Sequence, residues 1–145
     1  MKRAEIAECF QGMQERLVGA LSAVDPTAAM NRDSWQRPDP KVADGGGGLS
    51  IVLAGGKVLE KAGVNFSDVS GFLNIEMSKA LLGSSEEVEF SATGTSIVIH
   101  PRNPMAPTVH ANVRYFEAGG RAWFGGGTDI TPYYLFTEDI SEFHI

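Results

Sequence analysis

The chain has 145 residues, with 12 Lys and Arg against 18 Asp and Glu, for a net charge of −6. That balance excludes a general nucleic-acid or anionic-membrane binder, because no basic field would draw in phosphates. An anionic small molecule stays open, provided a few arginines are gathered locally. Hydrophobic residues make up 43% and charged residues 21%, ordinary globular usage for one domain with a core, which excludes wholesale disorder.

Cys9 is the single cysteine. It excludes an internal disulfide framework and fits a reducing compartment, and it reads as a helix residue in the core rather than as a nucleophile. The N-terminus shows no signal or transit pattern, and no apolar run approaches the length of a membrane span. These features predict a soluble cytoplasmic protein.

In chain order, Ile6, Phe10, Met13, Leu17, Leu21 and Val24 recur at helical spacing, and Asp25-Pro26 stops that helix because the residue before proline is pushed from the α region. The stretch from Asn31 to Gly48, rich in Pro and Asp and ending in four glycines, reads as a loop, flexible or folded closely over something. "LSIVL", the turn "AGGK" and "VLEKA" predict a hairpin. "VNFSDVSG" predicts a third strand ending at Gly71. Asn74 to Leu82 predicts a short helix closed by Gly83. Glu87 to His100 reads as one long strand interrupted at Gly94, with Thr108 to Ala118 as its antiparallel partner. A strand over Ala122 to Gly125 follows a "GG" turn.

Thr137 is the expected N-cap of a last helix, with Glu138 and Asp139 in the first turn where negative charge suits the dipole. That helix opens an apolar stripe with Ile140 and Phe143, yet the sequence ends at Ile145. The expectation is a single domain over 1–145, incomplete at its C-terminus, in the N-terminal part of a longer protein. Strands dominate the middle and a helix opens the chain, so the class is α+β with a mostly antiparallel sheet.

The chemistry concentrates between Ser96 and Glu117. Strand alternation puts His110, Asn112 and Arg114 on one face and Val109, Ala111, Val113 and Tyr115 on the other. If the two strands pair around 101–107, His100 lies opposite Thr108 and Ser96 opposite Asn112. One face then collects two imidazoles, an amide, a hydroxyl and a guanidinium. Such a set suits an acidic organic ligand, since Arg offers a fork to a carboxylate and His carries a proton near neutrality. A merely solvated sheet face is the plain alternative.

Gly125, Gly126 and Gly127 either let backbone approach a flat ligand or make a bulged turn. Asp129 either orients an arginine or histidine or caps a turn. Tyr133 and Tyr134 read as packing residues. His100, His110 and His144 invite a metal reading, but their spacing matches no compact zinc pattern.

Six stretches, "SWQRP", "GGGG", "EKAGVNFS", "VIHPRNP", "HANVR" and "WFGGGTDITPYYLFTED", together resemble the oxygen-dependent coproporphyrinogen III oxidases over roughly residues 31–145. One departure is that "GGGG" is followed by Leu49-Ser50-Ile51, where some bacterial members carry arginines. The resemblance implies a large, flat antiparallel sheet covered by helices on both sides, a homodimer, and a place in haem biosynthesis. It implies oxidative decarboxylation of the ring A and B propionates of coproporphyrinogen III to vinyl groups, giving protoporphyrinogen IX. Molecular oxygen is the oxidant, and no cofactor is required. It implies substrate contacts at Ser96, Asn112, Val113 and Arg114 and a proton donor at His110. It also makes His100, His110 and His144 candidate ligands of a divalent metal, the alternative to a cofactor-free reaction. A rival reading is a truncated, non-catalytic porphyrin-binding or assembly remnant of that family.

Overall fold

The structure is a computed structural model that describes residues 2–38, 41–42 and 44–143. The first helix, α1, runs Arg3–Val24 and is followed by β1 (Ala29–Gln36), β2 (Gly46–Ala54) and β3 (Leu59–Leu73). A short helix, α2 (Ile75–Leu82), leads to β4 (Val88–Pro101), β5 (Thr108–Ala118), β6 (Arg121–Thr131) and α3 (Thr137–Phe143). The six strands form one open antiparallel sheet in the order β1-β2-β3-β4-β5-β6, each paired with its sequence neighbour. That is the α+β arrangement the alternation predicts.

The core lies between α1 and one face of the sheet. Val18 and Leu21 pack on Ile51, Leu53, Leu59, Ala62 and Val64, while Ile6 and Phe10 meet Tyr115. Burial of these aliphatic and aromatic groups is the main force holding helix to sheet. Two polar side chains fix the helix position. Gln14, fully buried, donates to Leu49 O at 2.7 Å and Val64 O at 2.8 Å. Thr95 donates to Phe10 O at 2.8 Å. Cys9 is exposed, against expectation, because it lies one position off the buried stripe Ile6, Phe10, Gln14, Val18 and Leu21.

Asp25 ends α1 and ties it to the β2–β3 turn. Its carboxylate accepts from the Thr27 hydroxyl at 2.6 Å, Val58 N at 2.7 Å and Leu59 N at 2.9 Å. The Thr27 hydroxyl first, then the Leu59 and Val58 N–H groups, hold the carboxyl far below the usual carboxylate range. Each bond favours the ionised form.

Several boundaries differ from the sequence reading. The stretch read as loop holds β1 and the start of β2, because β1 is an edge strand whose residues are nearly all exposed and show no apolar alternation. The glycine run enters β2 rather than a flexible loop: a Cβ on Gly48 would meet the Trp35 ring at 2.5 Å and Phe66 O at 2.2 Å. The strands expected at 58–62 and 64–71 are one, running through Gly63, which pairs with Val52 and Val98. β4 is continuous at Gly94, where a Cβ would meet Val113 O at 2.5 Å. Glycine there permits close approach of β5 and breaks nothing.

β6 extends through all three glycines to Thr131, so they are strand and not a bulged turn. α2 ends as expected, with Asn74 Oδ1 accepting from Met77 N at 2.8 Å and Gly83 left-handed at φ 74°. In α3 the first carbonyl to accept is Phe136 O, from Ile140 N at 3.2 Å, so Phe136 takes the cap position and Thr137 begins the helix.

Candidate functional site

Directly opposed residues of an antiparallel pair share a face, so the register assigns side chains to the two sides of the sheet. Ser96 pairs with Asn112, Val98 with His110, and Gly94 with Arg114. Across the next ladder, Arg114 pairs with Gly125, Asn112 with Gly127, and His110 with Asp129. All of these lie on the face away from α1. The ladder between β4 and β5 ends at Ile99 and Val109, and His100 beyond it is exposed and pairs across β3 with Lys61.

The open face carries a groove of about 440 Å³ lined by Asn112, Arg114, Phe116, Trp123 and Gly125 to Gly127, with Met77 and Leu81 of α2 forming its wall. Phe90, Phe116 and Trp123 form an aromatic row beside it. Phe90 and Phe116 stack at 5.4 Å, and Phe116 and Trp123 meet at 4.9 Å. Gly125 and Gly127 are open toward this side, since a Cβ on either would meet nothing within 4 Å. Gly126 faces the other way, and a Cβ there would strike Asn112 O at 2.4 Å. One glycine is therefore demanded by the backbone, and its two neighbours leave the floor of the groove low.

His110 Nδ1 lies 3.0 Å from Asp129 Oδ2. An ionised carboxylate only accepts, so Nδ1 carries the hydrogen and Nε2 is left without a partner among the described residues. Arg114 is exposed, and its guanidinium has no ion pair among the described residues. This is a cation free to bind an external carboxylate, beside an amide and a histidine whose orientation is set.

Of the residues singled out from sequence, Ser96, His110, Asn112, Arg114, Gly125, Gly127 and Asp129 come together on this face. Val113 does not. Its side chain lies on the α1 side, in a smaller hollow with Phe10, Met13 and Phe124, and Val113 is not among the residues lining the groove. His100 stands at the far end of the same face, and His144 lies outside the described residues. Among the described residues no group of three His, Cys, Asp or Glu is gathered closely enough to hold a metal ion, and His110 already has a carboxylate partner. No helix among them is long and apolar enough to cross a membrane.

Met77, Leu81, Phe116 and Trp123 were not singled out from sequence. The signal for Phe116 was present, because it continues the 110–112–114 alternation by one step.

An open antiparallel sheet, closed by a helix on one face and left polar and glycine-floored on the other, defines an α+β protein with one broad ligand-accessible surface. The chain belongs to the coproporphyrinogen III oxidase family, whose sequence model matches residues 5–145. The oxygen-dependent coproporphyrinogen-III oxidase of Prochlorococcus marinus (strain MIT 9313) is 44% identical over 145 residues, covering 98% of this chain and 39% of the relative. That of Synechococcus sp. (strain CC9902) is 47% identical over 136 residues, covering 92% and 35%. The chain spans about two fifths of the length of the curated relatives it matches.

Proposed function

We propose that the protein carrying this chain is a haem-biosynthetic oxidoreductase that oxidatively decarboxylates the ring A and B propionates of coproporphyrinogen III. Each propionate carboxylate loses carbon dioxide, two electrons and one proton from the carbon attached to the pyrrole and becomes a vinyl group. Dioxygen takes up those two electrons, that proton and one more from solvent to leave as hydrogen peroxide. The product is protoporphyrinogen IX. In this reading dioxygen is the co-substrate and no resident cofactor is invoked. A divalent metal at His100, His110 and His144 is the alternative. We further propose a cytoplasmic homodimer.

The observation that carries the reading is the unpaired Arg114 guanidinium in a groove floored by Gly125 and Gly127, beside Asn112 and the His110–Asp129 pair. Arg114 would hold a propionate by charge-assisted hydrogen bonds. The low glycine floor and the aromatic row would accept the flat macrocycle. His110, with Nδ1 held by Asp129, presents Nε2 to the ligand and gives a proton from it as the imidazolium, whose charge the Asp129 carboxylate faces. Val113 would contribute only backbone groups, and Ser96 a neutral hydrogen bond from the neighbouring strand.

The test is turnover of coproporphyrinogen III by the complete gene product, with and without oxygen, read as porphyrin fluorescence after oxidation and chromatographic separation. Protoporphyrin formed only in oxygen supports the reading. Its absence in oxygen, from folded protein that still binds the substrate, favours a non-catalytic binding protein.

A further inference from the structure

Apart from the His110–Asp129 pair, the polar side chains of the two strand faces differ in how they are satisfied. On the α1 side, Thr93 donates to Ser67 O at 3.1 Å, Thr95 to Phe10 O at 2.8 Å, and Ser91 to Glu117 Oε2 at 3.2 Å. Tyr115 donates to Glu117 Oε1 at 2.6 Å. Each is satisfied within the protein, as half-buried and buried polar groups normally are.

On the open side one cross-strand row reads Asp33, Ser50, Asn65, Ser96, Asn112, Gly127. Ser50, Asn65, Ser96 and Asn112 are all half-buried. Among the described residues, none of their side chains has a hydrogen-bond partner. The row passes through the groove at Asn112 and continues across the four strands β4 to β1 beyond it.

We infer that Asn65 is a further substrate-binding residue of this site, the second of two amides that flank Ser96. The inference rests on the functional reading above. Asparagine is depleted in strands because its short polar side chain competes for local backbone groups. Asn65 nevertheless sits in the interior of the fifteen-residue β3, with both neighbouring strands paired to it. Nothing among the described residues uses its amide.

Adjacent strands lie about 4.8 Å apart, which sets Asn65 and Asn112 roughly 10 Å apart at Cα with Ser96 between them. A tetrapyrrole laid on this face presents pyrrole N–H groups toward its centre and carboxylates at its rim. Asn65 Oδ1 can accept from the first, and Nδ2 can donate to the second. The site thereby spans β3 to β6, and Asn65 secures the side of the ligand remote from Arg114.

The experiment compares Asn65→Ala and Asn65→Val with Arg114→Ala in the complete gene product, measuring kcat, KM for coproporphyrinogen III, and Tm. Both Asn65 variants should raise KM by about three- to tenfold, the effect of losing a neutral hydrogen bond. Asn65→Val should do so with Tm unchanged or raised, because valine is the better strand former. An unchanged KM in Asn65→Val overturns the inference, as does a lowered Tm with unchanged KM in both variants. If Asn65 is silent while Arg114→Ala raises KM, the inference falls and the functional reading stands. If Arg114→Ala is silent as well, the functional reading itself falls.

Discussion

His110 and Asp129 face each other across the β5–β6 ladder, with Nδ1 3.0 Å from Oδ2. The pair follows from register alone, because two strands joined at the Gly119-Gly120 turn must bring these positions opposite one another. Its chemical effect is to fix the tautomer, so that Nε2 is the nitrogen offered to a ligand. His110→Ala should lower kcat by about 10²–10⁴-fold, the usual range for a general acid. Asp129→Ala should lower kcat by up to roughly a hundredfold through misplacement of the ring, with KM less affected. The ¹⁵N shifts of the His110 ring should move from the Nδ1–H tautomer toward a mixture. A purely structural pair would instead lower Tm and leave turnover as it was, whatever the ring tautomer does.

The three successive glycines of β6 make a second, internally controlled prediction. Gly127 and Gly126 are adjacent, yet a Cβ at Gly127 meets nothing within 4 Å while one at Gly126 meets Asn112 O at 2.4 Å. Gly127→Val should keep or raise Tm, since valine suits a strand, and should lower kcat/KM by at least tenfold by filling the groove. Gly126→Ala should lower Tm whatever it does to turnover. Equal effects of the two substitutions on both quantities would remove the groove floor from the account.

How much of this was legible in the sequence varies from element to element. The β5 face was legible because His110, Asn112 and Arg114 occupy alternate positions, and the opposition of Ser96 and Asn112 followed from a single hairpin. β1 was not, because an exposed edge strand has no apolar side to alternate. From sequence, the glycines at 46–48 read as loop and Gly94 as an interruption, while 125–127 read either as a bulged turn or as a close approach to a flat ligand. Five of them, Gly46, Gly47, Gly48, Gly94 and Gly126, instead lie where a backbone oxygen would come within 2.5 Å of a Cβ. Asn65 was out of reach for another reason. Its place on the site face depends on β2, β3, β4 and β5 pairing in sequence order, which no local pattern reports. The placement of Cys9 failed by a single helical position.

Asp25 predicts the acid limb of stability. Its carboxyl is depressed far below the usual range by the Thr27 hydroxyl and the Leu59 and Val58 N–H groups. A depressed folded pKa contributes stability that is fully present above the unfolded value, near 3.9, and is lost as pH falls toward the folded one. Asp25→Asn should therefore lower Tm by roughly 5–10 °C at pH 7, and the gap to wild type should narrow progressively below about pH 4. A gap that stayed constant down to pH 2 would place the effect in packing and not in the charge.

Metal dependence is tested by chelation. Asp129 occupies His110 Nδ1, and direct reaction of dioxygen with an electron-rich pyrrole needs no metal in the proposed scheme. Enzyme dialysed against chelator should keep its turnover within about twofold of the untreated rate. Loss of activity, restored by one stoichiometric divalent metal ion, would assign His100, His110 and His144 as ligands and replace the scheme.

The central claim is that the face bearing Arg114 holds the carboxylated substrate, and kcat/KM for coproporphyrinogen III in Arg114→Ala tests it most directly. Arg114 is exposed and has no internal ion pair among the described residues, so the substitution should leave Tm within about 2 °C of wild type. A charge-assisted bond to a propionate is worth about 1.5–3 kcal/mol, so kcat/KM should fall by roughly ten- to a hundredfold. An unchanged kcat/KM in folded Arg114→Ala would contradict the account and move the substrate to another surface.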